Sequence, residues 1–473
     1  MTSEPGADAA LRLFHDAART VPAYRAFLAA HDVDPGSVTD LSAVPLSTKD
    51  NYVRRYPLPD RTRGGDLSAA AHTVAVSSGS SGEPTVWPRS TVDELVVARR
   101  FGQAIVDGFR GGERRTLVVV CFALGSWVGG MYTAAACRHL ADAGHPVTVA
   151  TPGNNVDEIL RVVAALGGHF DQTVLAGYPP FVKNVVDAGV ARGVDWSPYR
   201  VKLLLAGEVF SEQWRDLMAA RAGMTEPVAD SVSLYGTADA GVLGNETPTS
   251  VAIRRFLADT PAAARELFGD SRLPTLVQYD PADRYFETHA GTLLFTSDGG
   301  VPLLRYHLAD EGGLTSYVDM LAFCRDHGFD PVPPAPHRAV DLPFVHVFGR
   351  SLFTVSYFGA NVYPENVTVA LEGPEVSAWT TGRFVLQVVS DADENRHLSV
   401  VVELAPGATA GPDRAATVAT AIRAALLRVN SEYAHYVPAA QQTPRVVLRP
   451  ADDPEYFPVG VKHRYTRPAD DTA

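Results

Sequence analysis

The sequence predicts an α/β protein: a large N-terminal domain with mostly parallel βαβ sheets and a small β-barrel-like subdomain, then a small, mobile α+β domain. Three observations predict it. Between Thr116 and Tyr235 short apolar runs alternate with longer segments of helical spacing, the pattern of βαβ units around a parallel sheet. Past Gly244 the runs shorten and are split by turn signals such as Ser297-Asp298-Gly299-Gly300, which suits an antiparallel set. After Phe348 an αβ pattern starts afresh. The 473 residues exceed what a single core fills, so domains are expected at 1–348 and 349–473.

Taken in order, Leu11 to Ala30 has helical spacing broken by Pro22, and predicts two short helices. Pro45-Leu46-Ser47-Thr48-Lys49-Asp50 reads as an N-cap into another. His72–Val76 and Thr85–Trp87 are β-branched runs around a small-residue loop, hence a hairpin, and Thr91 to Phe109 is an amphipathic helix. Strands at Thr116–Phe122, His145–Ala150, Thr173–Leu175, Val201–Leu205 and Ser231–Tyr235 alternate with helices at Trp127–Ala141, Val156–Leu166, Pro180–Ala191 and Glu212–Ala222. The antiparallel set is expected at Thr275–Tyr279, Arg284–Thr288, Thr292–Thr296 and Pro302–Tyr306, with Asp310 ending the stretch. The last domain offers strands at Phe384–Val389 and Leu398–Leu404 and a helix at Ala415–Val429.

Charge and composition exclude several classes of partner. Net charge is -13, from 54 acidic and 41 basic residues without a Lys/Arg run, so neither nucleic acid nor an anionic membrane is an expected partner. Cys121, Cys137 and Cys324 show no CxxC spacing, which argues against a disulfide framework or a zinc cluster. No stretch is apolar enough for a membrane span, and Met1–Ala10 lacks an apolar signal core, so the cytoplasm is the expected compartment.

The loop Ser77-Ser78-Gly79-Ser80-Ser81-Gly82-Glu83-Pro84-Thr85 can hold a polyphosphate through backbone N–H groups and hydroxyls. It is not a Walker loop, and a flexible tether is the plainer reading of its composition. Gly207-Glu208 closes one parallel strand and Tyr235-Gly236-Thr237-Ala238-Asp239 another, where ligands of such sheets sit. The glycines permit close approach of a flat ligand, Tyr235 can stack on a base, and Asp239 can hold magnesium; a tight turn with a capping acid is the alternative. Asp310 is a natural acceptor for ribose hydroxyls, or a solvated loop acid. An organic substrate is expected near Phe122, Trp127 and Tyr132, with Gly236, Ala240 and Gly241 as its floor; equally, these aromatics can be core packing.

With these motifs placed, the sequence resembles the adenylate-forming enzymes, and within them the phenylacetate-CoA ligase branch. The resemblance rests on Val21-Pro22-Ala23-Tyr24-Arg25, the Pro45–Asp50 stretch, the Ser77–Thr85 loop, Tyr235-Gly236 with Asp239, and Arg305-Tyr306 with Asp310. Gly349-Arg350, Gly359-Ala360-Asn361-Val362-Tyr363-Pro364 and Lys462 follow in the same order. It implies that Ser78 to Thr85 hold the ATP phosphates, that Gly207, Glu208 and Tyr235 border adenine, and that Asp239 supports Mg2+. It further implies Asp310 on the ribose, Arg350 on the ribose or phosphate, and Lys462 bridging the acid and the α-phosphate.

The implied activity is adenylation of a small organic acid, aromatic by preference, with transfer of the acyl group to coenzyme A or an amine. Members resembling this branch also activate nitrite and couple it to an aryl amine, making a diazo group, so a diazotase is an alternative; a nucleotide-binding protein without activity is the third reading. Three departures stand out. Glu83 replaces the usual phosphate-loop lysine, Ala238 precedes the magnesium acid, and Leu352 and Phe353 stand where hinge acids are usual. The apolar hinge implies restricted rotation of the C-terminal lid and favours an amine acceptor.

Overall fold

The computed structural model describes residues 6–77, 85–270, 273–333, 336–350, 354–457 and 465–467. The chain divides into two compact units, one of Met1–Val76, Val86–Gly177 and Phe181–Gly349, the other of Ser77–Thr85, Tyr178–Pro180 and Arg350–Ala473. The hinge residues Leu352 and Phe353 and the tail lysine Lys462 lie outside the described residues.

The chain opens with helices Ala7–Thr20 and Pro22–Ala29, where Pro22 at the first position of the second helix sets the break. Thr48 caps the turn Lys49–Val53 reciprocally with Asn51. Strands β1 (Thr73–Ser77) and β2 (Thr85–Arg89) form the expected two-stranded hairpin. The helix predicted over Thr91–Phe109 is regular only to Phe101 and continues as wider turns over Gly102–Gly108. There the Phe109 N–H reaches back five residues to the Ala104 carbonyl.

The parallel strands are β3 (Thr116–Val120), β4 (Val147–Ala150), β5 (Gln172–Gly177), β6 (Val201–Ala206) and β7 (Ser231–Thr237). Every residue of β3 and β5 is buried, as helices on both faces require. The antiparallel strands are β8 (Gly241–Asn245), β9 (Thr275–Gln278), β10 (Tyr285–His289), β11 (Thr292–Ser297), β12 (Leu303–Thr315) and β13 (Phe344–Arg350). They continue the parallel set across β7 and β8, so that among the described residues one sheet runs β10-β11-β12-β13-β9-β8-β7-β6-β5-β3-β4. Asp310 does not end a strand: β12 carries on to Thr315. Arg305 and Ala309 take positive φ of 45° and 60°, and these local breaks in alternation make the strand look shorter in sequence than it is.

A buried ion-pair network fastens the centre of this sheet. Arg215, fully buried, bonds Glu212 (2.9 Å), Glu246 (2.9 Å) and the Ser231 hydroxyl (2.6 Å), while Glu246 accepts the Ser233 N–H of β7 at 2.7 Å. Arg254 pairs with Glu212 on the other side. Burial alone would raise the pKa of Glu212, but Arg215, Arg254 and Arg255 bring it below the usual carboxylate value.

The second unit contains a two-stranded ribbon, β14 (Val355–Tyr357) with β15 (Ala360–Val362), and a three-stranded sheet. In that sheet β16 (Thr380–Ser390) pairs antiparallel with β17 (Arg396–Leu404), and β17 pairs parallel with β18 (Arg445–Arg449). Helix Pro412–Val429 buries Val418, Ile422 and Leu426. The segment at Tyr465–Arg467 bridges β16 at Leu386, and the Tyr465 ring packs 5.0 Å from Phe384.

Candidate active site

The candidate site is built on the turn between β7, where the run of parallel strands in the large sheet ends, and β8, its antiparallel partner. The turn is tight: a Cβ on Gly236 would lie 2.6 Å from the Gly241 carbonyl oxygen, and one on Gly241 (φ 73°) 2.9 Å from Tyr132 Cε2. Thr237 Oγ1 accepts the Ala240 N–H at 3.1 Å. Asp239 at its apex is 7 % exposed.

Two tyrosines and two aspartates cross between this turn and β12. Tyr235 donates to Asp310 Oδ2 at 2.7 Å, and Tyr306 donates to Asp239 Oδ2 at 2.7 Å. Each tyrosine stands four residues ahead of the acid held by the other. Buried carboxylates demand such donors, and here the pairs also fix how both acids are presented. Tyr235 stacks on Phe286 (6.4 Å between rings), so one face of the expected base-stacking residue is covered. The strand beside it in the sheet, β6, is followed by Gly207 (φ 88°) and the buried Glu208.

Of the other expected residues, Ser77 is buried at the end of β1 and Thr85 opens β2, whereas Ser78, Gly79, Ser80, Ser81, Gly82, Glu83 and Pro84 lie outside the described residues. Lys462 also lies outside them, and Arg350 closes β13 with its side chain undescribed. The substrate-pocket residues separate into different surroundings. Tyr132 is buried beneath Gly241 with Arg89 over its ring at 5.4 Å, and its hydroxyl has no partner among the described residues; burial raises its pKa. Phe122 is buried and lies close to Gly129, where a Cβ would stand 3.1 Å from the ring. Trp127 caps helix Val128–Asp142 and bridges Val76 of β1. Ala240 is buried within the turn itself.

Sequence reading missed Arg89 and Arg284, both buried, whose guanidiniums donate to carbonyls of this turn. A charged residue closing the apolar strand Thr85-Val86-Trp87-Pro88-Arg89 is the signal that could have drawn attention to the first.

For a metal, among the described residues no group of three or more His, Cys, Asp or Glu could hold an ion. Asp239 offers a single carboxylate, with Oδ2 taken by Tyr306 and no donor on Oδ1 among the described residues. This suits Mg2+, which commonly takes one or two protein carboxylates and fills its shell with phosphate oxygens and water.

No protein-family model matches the chain, and no curated protein matches it. Solved structures do. The chain is similar to a 2-hydroxyisobutyryl-CoA ligase in complex with 2-HIB-AMP and CoA in its thioesterification state, with TM-score 0.66 and 16% identity over 98% of this chain and 90% of that one. It is also similar to the same ligase in the postadenylation state with R3-HIB-AMP, with TM-score 0.55 and 14% identity over 98% and 88% of the two chains. The likeness runs over nearly the whole of both chains, and the chain therefore has the fold of the adenylate-forming enzymes.

Proposed function

We propose that this protein is an ATP-dependent ligase that adenylates a small carboxylic acid, aromatic by preference, releases pyrophosphate, and hands the acyl group to coenzyme A or an amine. The observation that carries this reading is the crossed pair Tyr235–Asp310 and Tyr306–Asp239, which holds two carboxylates where the parallel strands end. It sits on a fold shared with a ligase seen with an AMP adduct.

A carboxylate is a poor electrophile, so it must first attack the ATP α-phosphorus and become a mixed anhydride with AMP. Positioning and charge neutralisation then supply most of the catalysis. In this reading Asp310 accepts the ribose hydroxyls, the Ser77–Thr85 loop receives the phosphates and Lys462 meets the acid and the α-phosphate. Asp239 would hold Mg2+, which would supply charge neutralisation on the phosphates. Tyr235 and Tyr306 hold the two aspartates in place while this happens.

The test is pyrophosphate release from MgATP across a panel of aryl and short aliphatic acids, each with and without coenzyme A, amines or nitrite. Release that depends on one acid, and is lost in Lys462→Ala while ATP still binds, is the expected result. Release that depends on nitrite and an aryl amine would instead make the protein a diazotase. ATP binding without release under any condition would reject the catalytic reading.

A further inference from the structure

The turn that carries Asp239 is gripped from behind by two buried guanidiniums. Arg89, 3 % exposed, donates through Nη1 to the Asp239 carbonyl at 3.1 Å and through Nη2 to the Ala238 carbonyl. Arg284, 2 % exposed, donates through Nη2 to the Ala240 carbonyl at 3.2 Å. Three successive carbonyls are thus held by cations that come from different parts of the chain. Arg89 is itself held: Asp93 lies 3.5 Å away, and the Trp87 and Tyr132 rings stand 5.9 and 5.4 Å from its Cζ. Asp93 is in turn fixed by the Ser90 N–H and hydroxyl and the Gly300 N–H, each at 2.8 Å.

Two buried cations on one turn are costly to desolvate, and burial lowers the pKa of Arg284. A β-turn between adjacent strands closes well without any such help. The arrangement makes sense where the apex must not move. Carbonyls pinned by a planar fork cannot rotate their peptide planes, and the Asp239 side chain inherits that rigidity from its own backbone.

We propose that Arg89 and Arg284 are positioning residues that lock the Ala238–Ala240 backbone so that the Asp239 carboxylate meets a magnesium-bound nucleotide without reorganisation. This rests on the reading of Asp239 as the acid facing the metal nucleotide. Lysine keeps the charge but cannot bond two carbonyls in parallel, so Arg89→Lys removes the fork, and Arg284→Met removes the single bond that Arg284 makes to the turn.

Two measurements decide the matter. Hydrogen exchange on the protein without ligand reads the lock alone: amides of residues 237–241 should exchange at least about tenfold faster in Arg89→Lys, with β6 unchanged. Calorimetry of ATP binding reads its use: the Mg2+ concentration giving half the metal-dependent gain should rise about tenfold, while binding in EDTA stays within about twofold. Unchanged exchange, or faster exchange with an unshifted Mg2+ requirement, overturns the proposal. Equal weakening with and without Mg2+ also overturns it, since a general packing defect would do that. If Arg89→Lys does not fold, Arg284→Met is read by the same criteria. Should the unmodified protein show no Mg2+ dependence of ATP binding at all, the functional reading of Asp239 fails, and exchange still reports whether the lock exists.

Discussion

Tyr306 holds Asp239 by a 2.7 Å hydrogen bond from its hydroxyl to Oδ2, although 67 residues separate the two in sequence. Tyr306, a residue of β12, is further tied by a bridge to Ser47, whose N–H and carbonyl bond Arg305 and His307. The acid is therefore oriented by a residue that has almost no freedom of its own.

Removing that hydroxyl tests the relationship. Tyr306→Phe deletes one donor to a buried carboxylate, a loss of about 1.5–3 kcal/mol for a hydrogen bond to a charged group. Adenylation should fall by about tenfold or more at limiting Mg2+ and recover in part at high Mg2+. A variant with unchanged Mg2+ dependence in the pyrophosphate-release assay would show that Tyr306 serves packing alone.

Asp310 should discriminate between the two substrates. Asp310→Ala removes the acceptor expected to face the ribose together with its hydrogen bond from the Tyr235 hydroxyl. ATP binding should weaken by about tenfold or more and organic-acid binding by less than about threefold. Equal losses in calorimetry would assign Asp310 a structural role.

The Arg215 network should matter to folding and leave the chemistry alone. Its guanidinium is fully buried between Glu212 and Glu246. Arg215→Met leaves both acids facing no cation on that side, and should cost about 3–5 kcal/mol in denaturant unfolding. A loss below about 1 kcal/mol would mean that the apolar replacement packs as well as the ion pairs bind.

His346 gives the fold a dependence on pH. Its ring lies 4.8 Å from Phe268 and 5.9 Å from Phe348, and burial pushes its pKa down from 6.5 to about 4. The unfolded chain takes up this proton first as pH falls. Its stabilising contribution is therefore complete above 6.5 and drains away as pH drops towards 4. His346→Phe should remove about 3 kcal/mol of the stability difference between about pH 8 and about pH 4. An identical pH profile in variant and parent would show that the ring is solvated in solution.

Much of the fold was legible because burial leaves period and composition in the sequence. The all-apolar run Leu117-Val118-Val119-Val120 could only be a strand covered on both faces, and Pro22 marked the boundary between the first two helices. Asp239 was legible as a candidate because an acid just past a strand ending in Tyr-Gly is a local signal. What was hidden is non-local: nothing near Tyr235 names Asp310 as its partner, and nothing near Arg89 announces two carbonyls about 150 residues away. The length of β12 was hidden too, since positive φ at Arg305 and Ala309 interrupts the alternation on which strand reading depends.

The bridge from Tyr465 to β16 sets a leash length for the tail lysine. Lys462 lies three positions before Tyr465, so the covalent chain keeps its Cα within about 11 Å of an anchored point. Behind it, Phe457 is fully buried against Val385 and Val401. In the reading proposed above, any larger displacement of Lys462 moves the small sheet with it.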